Sequence, residues 1–210
     1  IGCLQGCEWP LLKNASVTCL VNPRVGREYE CDLTPTNQPK KVMVIGGGPA
    51  GLMAARTAAI KGHQVELFEA KDSLGGQFKS AAYPIGKGEL STMTSSYRAN
   101  LEALNVPVHL NTEVTEELIQ EVKPDAIIVA TGAKPLTPSI KGMDLDQVVY
   151  AEDILLGHVD IANGPVVVCG GGEVGGETAH YMQEKNHQVT IVEMQQDILN
   201  DMMPMTRECL

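Results

Sequence analysis

Residues 40–70, KKVMVIGGGPAGLMAARTAAIKGHQVELFEA, recur as residues 164–194, GPVVVCGGGEVGGETAHYMQEKNHQVTIVEM, at a constant offset of 124 residues. Gly46, Gly48 and Gly51 fall on Gly170, Gly172 and Gly175. His63-Gln64-Val65 falls on His187-Gln188-Val189, and Glu69 on Glu193. Each copy opens with an apolar β-type run (Val42–Ile45; Val166–Cys169) and turns through glycines into a helical stretch. A second apolar run (Val65–Phe68; Val189–Val192) then ends on the acidic residue, 23 positions after the first glycine.

This arrangement suits a dinucleotide. The first glycine permits a tight strand-to-helix turn, the second lets a pyrophosphate approach the backbone, and the third lets helix and strand pack closely. The pyrophosphate then sits at a helix N-terminus, where free N–H groups and the dipole favour an anion. The acidic residue can accept from ribose hydroxyls. A single G-x-G-x-x-G also fits a glycine-rich turn with no ligand, but here strand, glycines, helix, second strand and terminal Glu agree twice. Two dinucleotide sites on one chain suggest electron transfer between two cofactors.

The expected fold is therefore α/β, with Rossmann-like dinucleotide-binding domains. Residues 1–39 end in a polar linker, Thr34-Pro35-Thr36-Asn37-Gln38-Pro39, whose prolines stop regular structure. A first domain is expected over 40–135, a crossover over 136–163, and the opening of a second domain over 164–210. A helix is predicted from Pro49, suited to a first turn, to Lys61, with Gly62 as its stop. Further expectations are a helix over Gly88–Leu104, a strand over Val106–Leu110, a short helix over Thr115–Glu121 and a buried strand over Asp125–Ala130. His63 and His187 mark a turn shared by the two copies. Cys169, on the first strand of the second copy, reads as a small core residue.

The net charge of −10 argues against nucleic acid or an anionic membrane as partner. No run reaches transmembrane length, and the N-terminus lacks a signal peptide's charged and apolar regions, so the expected location is the cytoplasm. Glu116-Glu117 and Asp144 with Asp146 read as solvated surface. Tyr97 falls in a helical stretch and reads as a packing residue, while Tyr83 reads as a loop residue. The histidines show no metal-ligand spacing.

GGGPAGL at 46–52, Leu74-Gly75-Gly76-Gln77, and Ala130-Thr131-Gly132 after the strand Ala126–Val129 resemble the two-dinucleotide-domain flavoprotein superfamily. That resemblance implies FAD at the first fingerprint, the Ala-Thr-Gly segment passing near the flavin, and a pyridine nucleotide at the second. Gly75-Gly76 would let backbone run close to the cofactor's phosphates. At the second site Glu193 would repel a 2′-phosphate, and Met194, Gln195 and Gln196 offer no Arg to hold one, so NADH is favoured over NADPH. Glu177 reads as a first-turn acid favoured by the helix dipole, with a position facing the nicotinamide as the other reading.

The chain has 6 cysteines, three of them in its first 19 residues. Cys3, Cys7 and Cys19 are separated by three and then eleven residues, spacings that suit a metal centre better than a disulfide framework. Three cysteines alone leave zinc and an iron–sulfur cluster both open. The segment IGCLQGCEWP…CLVNPRVGREYE resembles the cluster loop of the NADH:flavin oxidoreductases related to 2,4-dienoyl-CoA reductase, 2-enoate reductase and trimethylamine dehydrogenase. Their pattern is Cys-x2-Cys-x3-Cys-x11-Cys. Cys3, Cys7 and Cys19 match its second, third and fourth positions, and Asn22-Pro23 and Gly26-Arg27-Glu28 match its tail. The first cysteine of the pattern would lie directly before Ile1. Cys31 lies outside the pattern, and Cys209 has no assigned role.

The resemblance implies electron flow from NADH to FAD, through a [4Fe–4S] cluster, to FMN in an N-terminal barrel, where a small-molecule substrate with an activated C=C bond is reduced. It also implies a chain that begins inside the cluster loop and ends inside the second domain, with no catalytic residue for substrate chemistry of its own. A homo-oligomer is conceivable for the full-length protein. The alternatives are an amine dehydrogenase of the same family, in which one dinucleotide domain holds ADP or nothing, and a non-catalytic ADP- or FAD-binding platform.

Overall fold

A computed structural model of the chain describes residues 1–200, 202, 203 and 207; Cys209 lies outside these. The chain forms two compact units, one from residues 1–79 with 89–133 and one from 80–88 with 134–210. No helix among the described residues is long and apolar enough to cross a membrane.

The first unit carries a four-stranded parallel sheet in the order β3-β2-β1-β4, built from β1 (Lys41–Ile45), β2 (Gln64–Phe68), β3 (Val108–His109) and β4 (Ala126–Val129). Parallel neighbours need a crossover, and α2 (Pro49–Ile60) supplies it between β1 and β2. A short helix α1 (Glu8–Leu12) precedes them. The α2 helix starts as predicted, with Gly48 extended at its N-cap and Pro49 in the first turn. It ends one residue before Lys61, with Gly62 left-handed at φ +84°. Val42 and Val44 of β1 pack with Leu52, Ala55 and Ala58 of α2 in one core.

The expected helix from Gly88 begins only at Ser91. Gly88–Leu90 form a tighter 3₁₀ turn, and α3 (Ser91–Ala103) follows. Met93, Tyr97 and Leu101, one turn apart, are its buried face. Tyr97 is a packing residue as predicted, and its hydroxyl donates to the carbonyl of Val21 at 2.9 Å. Helix α4 (Glu116–Val122) is capped by Thr115, whose side chain accepts from the Leu118 N–H at 3.3 Å. The β3 strand is shorter than predicted. Val106 turns its N–H back to Leu101 at 2.9 Å, and only Val108 and His109 pair with β2.

Strand β4 corrects the expectation of burial. Among the described residues only β1 flanks it, and alternate side chains face outward, so Val129 is 70% exposed.

The second unit pairs β5 (Pro165–Cys169) in parallel with β6 (Gln188–Val192), joined by α6 (Glu173–Glu184). A short helix, α5 (Ala151–Leu155), lies against α6 and buries Ile154 and Leu155. Cys169 is exposed rather than in the core. Among the described residues this sheet has two strands, so the face and outer edge of β5 at Cys169 have no cover. The shared histidines close equivalent turns. His63 Nδ1 accepts from the Lys40 N–H at 3.1 Å, and His187 Nδ1 donates to the carbonyl of Gly164 at 3.2 Å.

Candidate functional site

At the carboxyl end of β1 the chain reverses into α2 through three consecutive glycines. Gly46 adopts φ +109°, and a Cβ there would stand 2.3 Å from the Ala130 carbonyl oxygen. A Cβ on Gly51 would stand 1.9 Å from the carbonyl oxygen of Gly46. These two positions need glycine for the chain's own packing. Gly48 does not: its φ is −75°, and a Cβ there would meet nothing nearer than the Gly76 Cα at 4.0 Å. The helix therefore opens on free space at its N-terminus, where first-turn N–H groups lack intrahelical acceptors. In the second copy Gly170 has φ +105°, Gly172 is the extended N-cap of α6, and a Cβ on Gly175 would meet the Gly170 carbonyl oxygen at 1.9 Å.

Both acidic residues turn inward onto these loops. Glu69, buried, accepts from the N–H of Gly47 at 2.6 Å and from that of Lys71 at 2.8 Å. Glu193 accepts from Gly171 at 2.6 Å and Gln195 at 2.7 Å. Those two N–H groups hold the Glu193 carboxyl below the usual carboxylate range. A carboxylate has about four acceptor positions, so each keeps capacity for ribose hydroxyls. Gly47 and Gly171 were not singled out by the G-x-G-x-x-G spacing. The signal was the middle glycine of the triplet present in both copies. A Cβ on Gly47 would stand 2.6 Å from Leu74 Cδ2, and one on Gly171 would stand 2.7 Å from Ile198 Cγ2.

Leu74 and Ile198 keep the same 124-residue offset, and so do the residues after them. Gly75 donates to the Gly47 carbonyl at 2.8 Å, and Leu199 to the Gly171 carbonyl at 2.6 Å. Gly75, at φ +115°, and Gly76, at φ +53°, bring the Leu74–Gln77 loop against the first glycine turn, where a Cβ on Gly76 would be 3.1 Å from Gly48 Cα. Gln77 Nε2 donates to the Ala133 carbonyl at 3.1 Å. Ala130 donates to Ile45 at 2.8 Å, and Thr131 and Gly132 continue exposed beyond β4. Gly46, Gly48, Gly51, Glu69, Gly75, Gly76, Gln77 and Ala130 thus converge at one end of the first sheet.

Glu177 sits in the second turn of α6, not the first, and is buried, with 7% of its surface exposed. Its carboxylate pairs with Lys87 Nζ, which also lies 3.3 Å from Glu173. Burial pushes the Glu177 carboxyl up, and Lys87 opposes the shift. Tyr83 is half exposed.

The sequence pattern of the pyridine nucleotide-disulphide oxidoreductases matches residues 40–210. The chain belongs to this family. Among curated proteins it is 44% identical to an NADH oxidase of Thermoanaerobacter brockii over 99% of this chain and 32% of the relative. It is 41% identical to a cinnamate reductase of Clostridium sporogenes over 95% of this chain and 30% of the relative. Among solved structures it superposes on a complex of 2-naphthoyl-CoA reductase with 2-naphthoyl-CoA at a TM-score of 0.92. The identity is 36%, covering 98% of this chain and 31% of the other. These similarities place it among the NADH:flavin oxidoreductases and enoate reductases, and the relatives are oxidoreductases. A 6-hydroxypseudooxynicotine amine oxidase of Pseudomonas geniculata N1 also superposes, at a TM-score of 0.81 and 27% identity over 91% of this chain and 31% of the other. The chain spans about a third of the length of these relatives.

The oxidoreductase fold supports FAD and NAD(H) binding, and the open space at Gly48 fits a pyrophosphate. Thr18 donates to Gly6 at 2.6 Å, which sets the segments of Cys7 and Cys19 side by side. No three His, Cys, Asp or Glu side chains among the described residues converge on a metal position. Cys3, Cys7 and Cys19 are three thiols, where a [4Fe–4S] cluster takes four.

Proposed function

We propose that the chain is the FAD- and NADH-binding part of an NADH-dependent flavin oxidoreductase that reduces an activated C=C bond of the enoate or enoyl-CoA type. The free space at Gly48 carries this reading. The chain's own packing gives no reason for glycine there, whereas a pyrophosphate at the α2 N-terminus does.

In this reading residues 40–135 form the FAD domain, 136–163 the crossover and 164–210 the opening of the NAD domain. Gly46, Gly48 and Gly51 shape the FAD turn, and Glu69 accepts from ribose. Gly75, Gly76 and Gln77, with Ala130-Thr131-Gly132, bring backbone beside the cofactor. Gly170, Gly172, Gly175 and Glu193 do the same for NADH. NADH supplies a hydride that FAD takes up. Glu193 disfavours a 2′-phosphate, and Arg207, which reaches the neighbouring loop, is held by Asp197. FMN and the site for the C=C substrate belong to the length of the relatives that this chain does not span. Cys3, Cys7 and Cys19 supply at most three of a cluster's ligands, and no electron step is assigned to them.

The resemblance to an amine oxidase supports a second reading, in which electrons leave an amine and one turn holds ADP or nothing. The Glu193–Gly171 pair, present as in the first copy, favours NADH use. Adding FAD to the purified chain and then NADH or NADPH without oxygen tests both. Flavin colour that NADH bleaches faster than NADPH is expected. A chain that stays colourless with FAD overturns the FAD assignment, and bound flavin indifferent to NADH favours the amine reading.

A further inference from the structure

A cavity of about 690 Å³ opens between the segment Val21–Leu33 and the flanks of α2 and α3, all within the first unit. We propose that it binds a small organic anion, a carboxylate or phosphate carried on an apolar body. Its volume lies in the range of small-molecule sites, about 300–1,000 Å³.

Two guanidiniums line it. Arg24 Nε is fully buried and has no hydrogen-bond partner, while its Nη2 donates only to the Glu28 carbonyl at 3.4 Å. Arg56 Nε donates to Asn100 Oδ1 at 3.2 Å. Neither guanidinium has a carboxylate within 4.0 Å among the described residues. This is unexpected in a chain with 26 Asp and Glu against 16 Lys and Arg. A buried Nε–H without an acceptor is costly, and an external oxyanion relieves it.

Asp32 on the cavity wall feels the Arg24 charge, but neither wall carboxylate hydrogen-bonds to Arg24. Glu30 is held by Arg27 at 2.7 Å and by the Tyr29 hydroxyl at 2.8 Å. Asp32 accepts from the Thr34 N–H and hydroxyl at 2.8 and 2.6 Å. Val21, Leu33, Met53 and the buried Tyr97 supply an apolar wall. Planar guanidinium forks match carboxylate and phosphate oxygens. Nothing in the dinucleotide reading calls for this site, because Arg24, Arg56 and Asn100 are absent from both glycine turns.

The test uses ¹⁵N-labelled full chain titrated with benzoate, phenyl phosphate and, as a cationic control, benzylamine. We expect saturable binding of at least one anion, movement of the Arg24 Nε–H signal, and no binding of benzylamine. Arg24→Gln and Arg56→Gln should each weaken binding about tenfold or more. Arg24→Lys keeps the charge but not the fork and should also bind more weakly. The tighter of the two anions identifies the oxyanion. The proposal is overturned if neither anion saturates, if benzylamine competes equally, or if the Arg24 signal stays fixed while binding proceeds. That last readout is on the unaltered chain and does not depend on the variants folding.

Discussion

The Glu69 carboxylate accepts a 2.6 Å hydrogen bond from the backbone N–H of Gly47, across 22 residues of sequence. Glu193 and Gly171 repeat it at the same distance. The acidic residue of each copy therefore clamps the glycine turn that opens its helix, in addition to offering acceptors to a ligand. Replacing Glu69 by Ala strands two N–H groups and should destabilise the first unit by about 1–3 kcal/mol. Glu69→Gln, which keeps one acceptor oxygen, should lose less. Urea denaturation of both variants decides; equal stability of Glu69→Ala and the unaltered chain would remove the clamp from the argument.

The second clamp titrates. The Gly171 and Gln195 N–H groups hold the folded Glu193 carboxyl below its ordinary range. A depressed acid contributes stability that is present above its unfolded-state pKa and lost as pH falls through its folded-state value. The second glycine turn should thus loosen only at acid pH, and Glu193→Gln should abolish that dependence. A ¹³C NMR titration of the Glu193 carboxyl checks the direction: a midpoint at or above that of an exposed glutamate contradicts it.

Gly48 and Gly51 separate folding from binding. A methyl at 51 collides with backbone, so Gly51→Ala should cost about 1–3 kcal/mol or more. A methyl at 48 meets nothing nearer than the Gly76 Cα at 4.0 Å. Gly48→Ala should stay within about 0.5 kcal/mol in thermal unfolding yet weaken FAD uptake about tenfold or more. Undiminished FAD binding by Gly48→Ala would mean that the pyrophosphate does not approach there.

Lys87 compensates Glu177. Lys87→Met leaves a buried carboxylate without its cation and should cost about 1–3 kcal/mol at neutral pH. Glu177 is already pushed up by burial, and losing Lys87 pushes it further. A raised acid favours the fold below its unfolded-state pKa and loses that advantage as pH rises through its folded-state value. The variant's deficit should therefore shrink on acidification. A deficit constant from acid to neutral pH would show that the pair is not the cause.

The two copies exchange bulk at one place. The first has Leu52 on the helix and Gly75 in the loop; the second has Gly176 and Leu199, and a Cβ on Gly176 would stand 2.3 Å from Leu199 Cδ2. Gly176→Leu should be strongly destabilising alone, and adding Leu199→Gly should recover part of the loss, since Leu199 also sits at φ +57°. A double-mutant cycle measures the coupling, and strict additivity would refute the exchange.

Much of the fold was legible because its signals are local. Apolar runs, the Gly46/Gly48/Gly51 spacing, Pro49 at a helix start and Gly62 at its stop act within one or two turns of chain, and the second copy repeats the runs and the glycine spacing, with Glu173 and Asn186 in place of Pro49 and Gly62. The middle glycine of each triplet was visible as well, but its partner was not. The Gly47–Glu69 and Lys87–Glu177 pairs, and the cavity that Arg24 and Arg56 both line, bring together residues 22 to 90 positions apart, and no spacing encodes them.

Burial was misread for the same reason. Ala126–Val129 and Val166–Cys169 have the composition of central strands, yet Val129 and Cys169 are exposed, because an apolar run reads alike whether one neighbour covers it or two. By itself the sequence determined the two strand–turn–helix–strand units and the positions at which backbone must come close. Which carboxylate closes which turn, which strand lies at an edge and which arginines lack a carboxylate within 4.0 Å among the described residues were decided only by tertiary structure. Those outcomes depend on what packs against each residue, not on its chain neighbours.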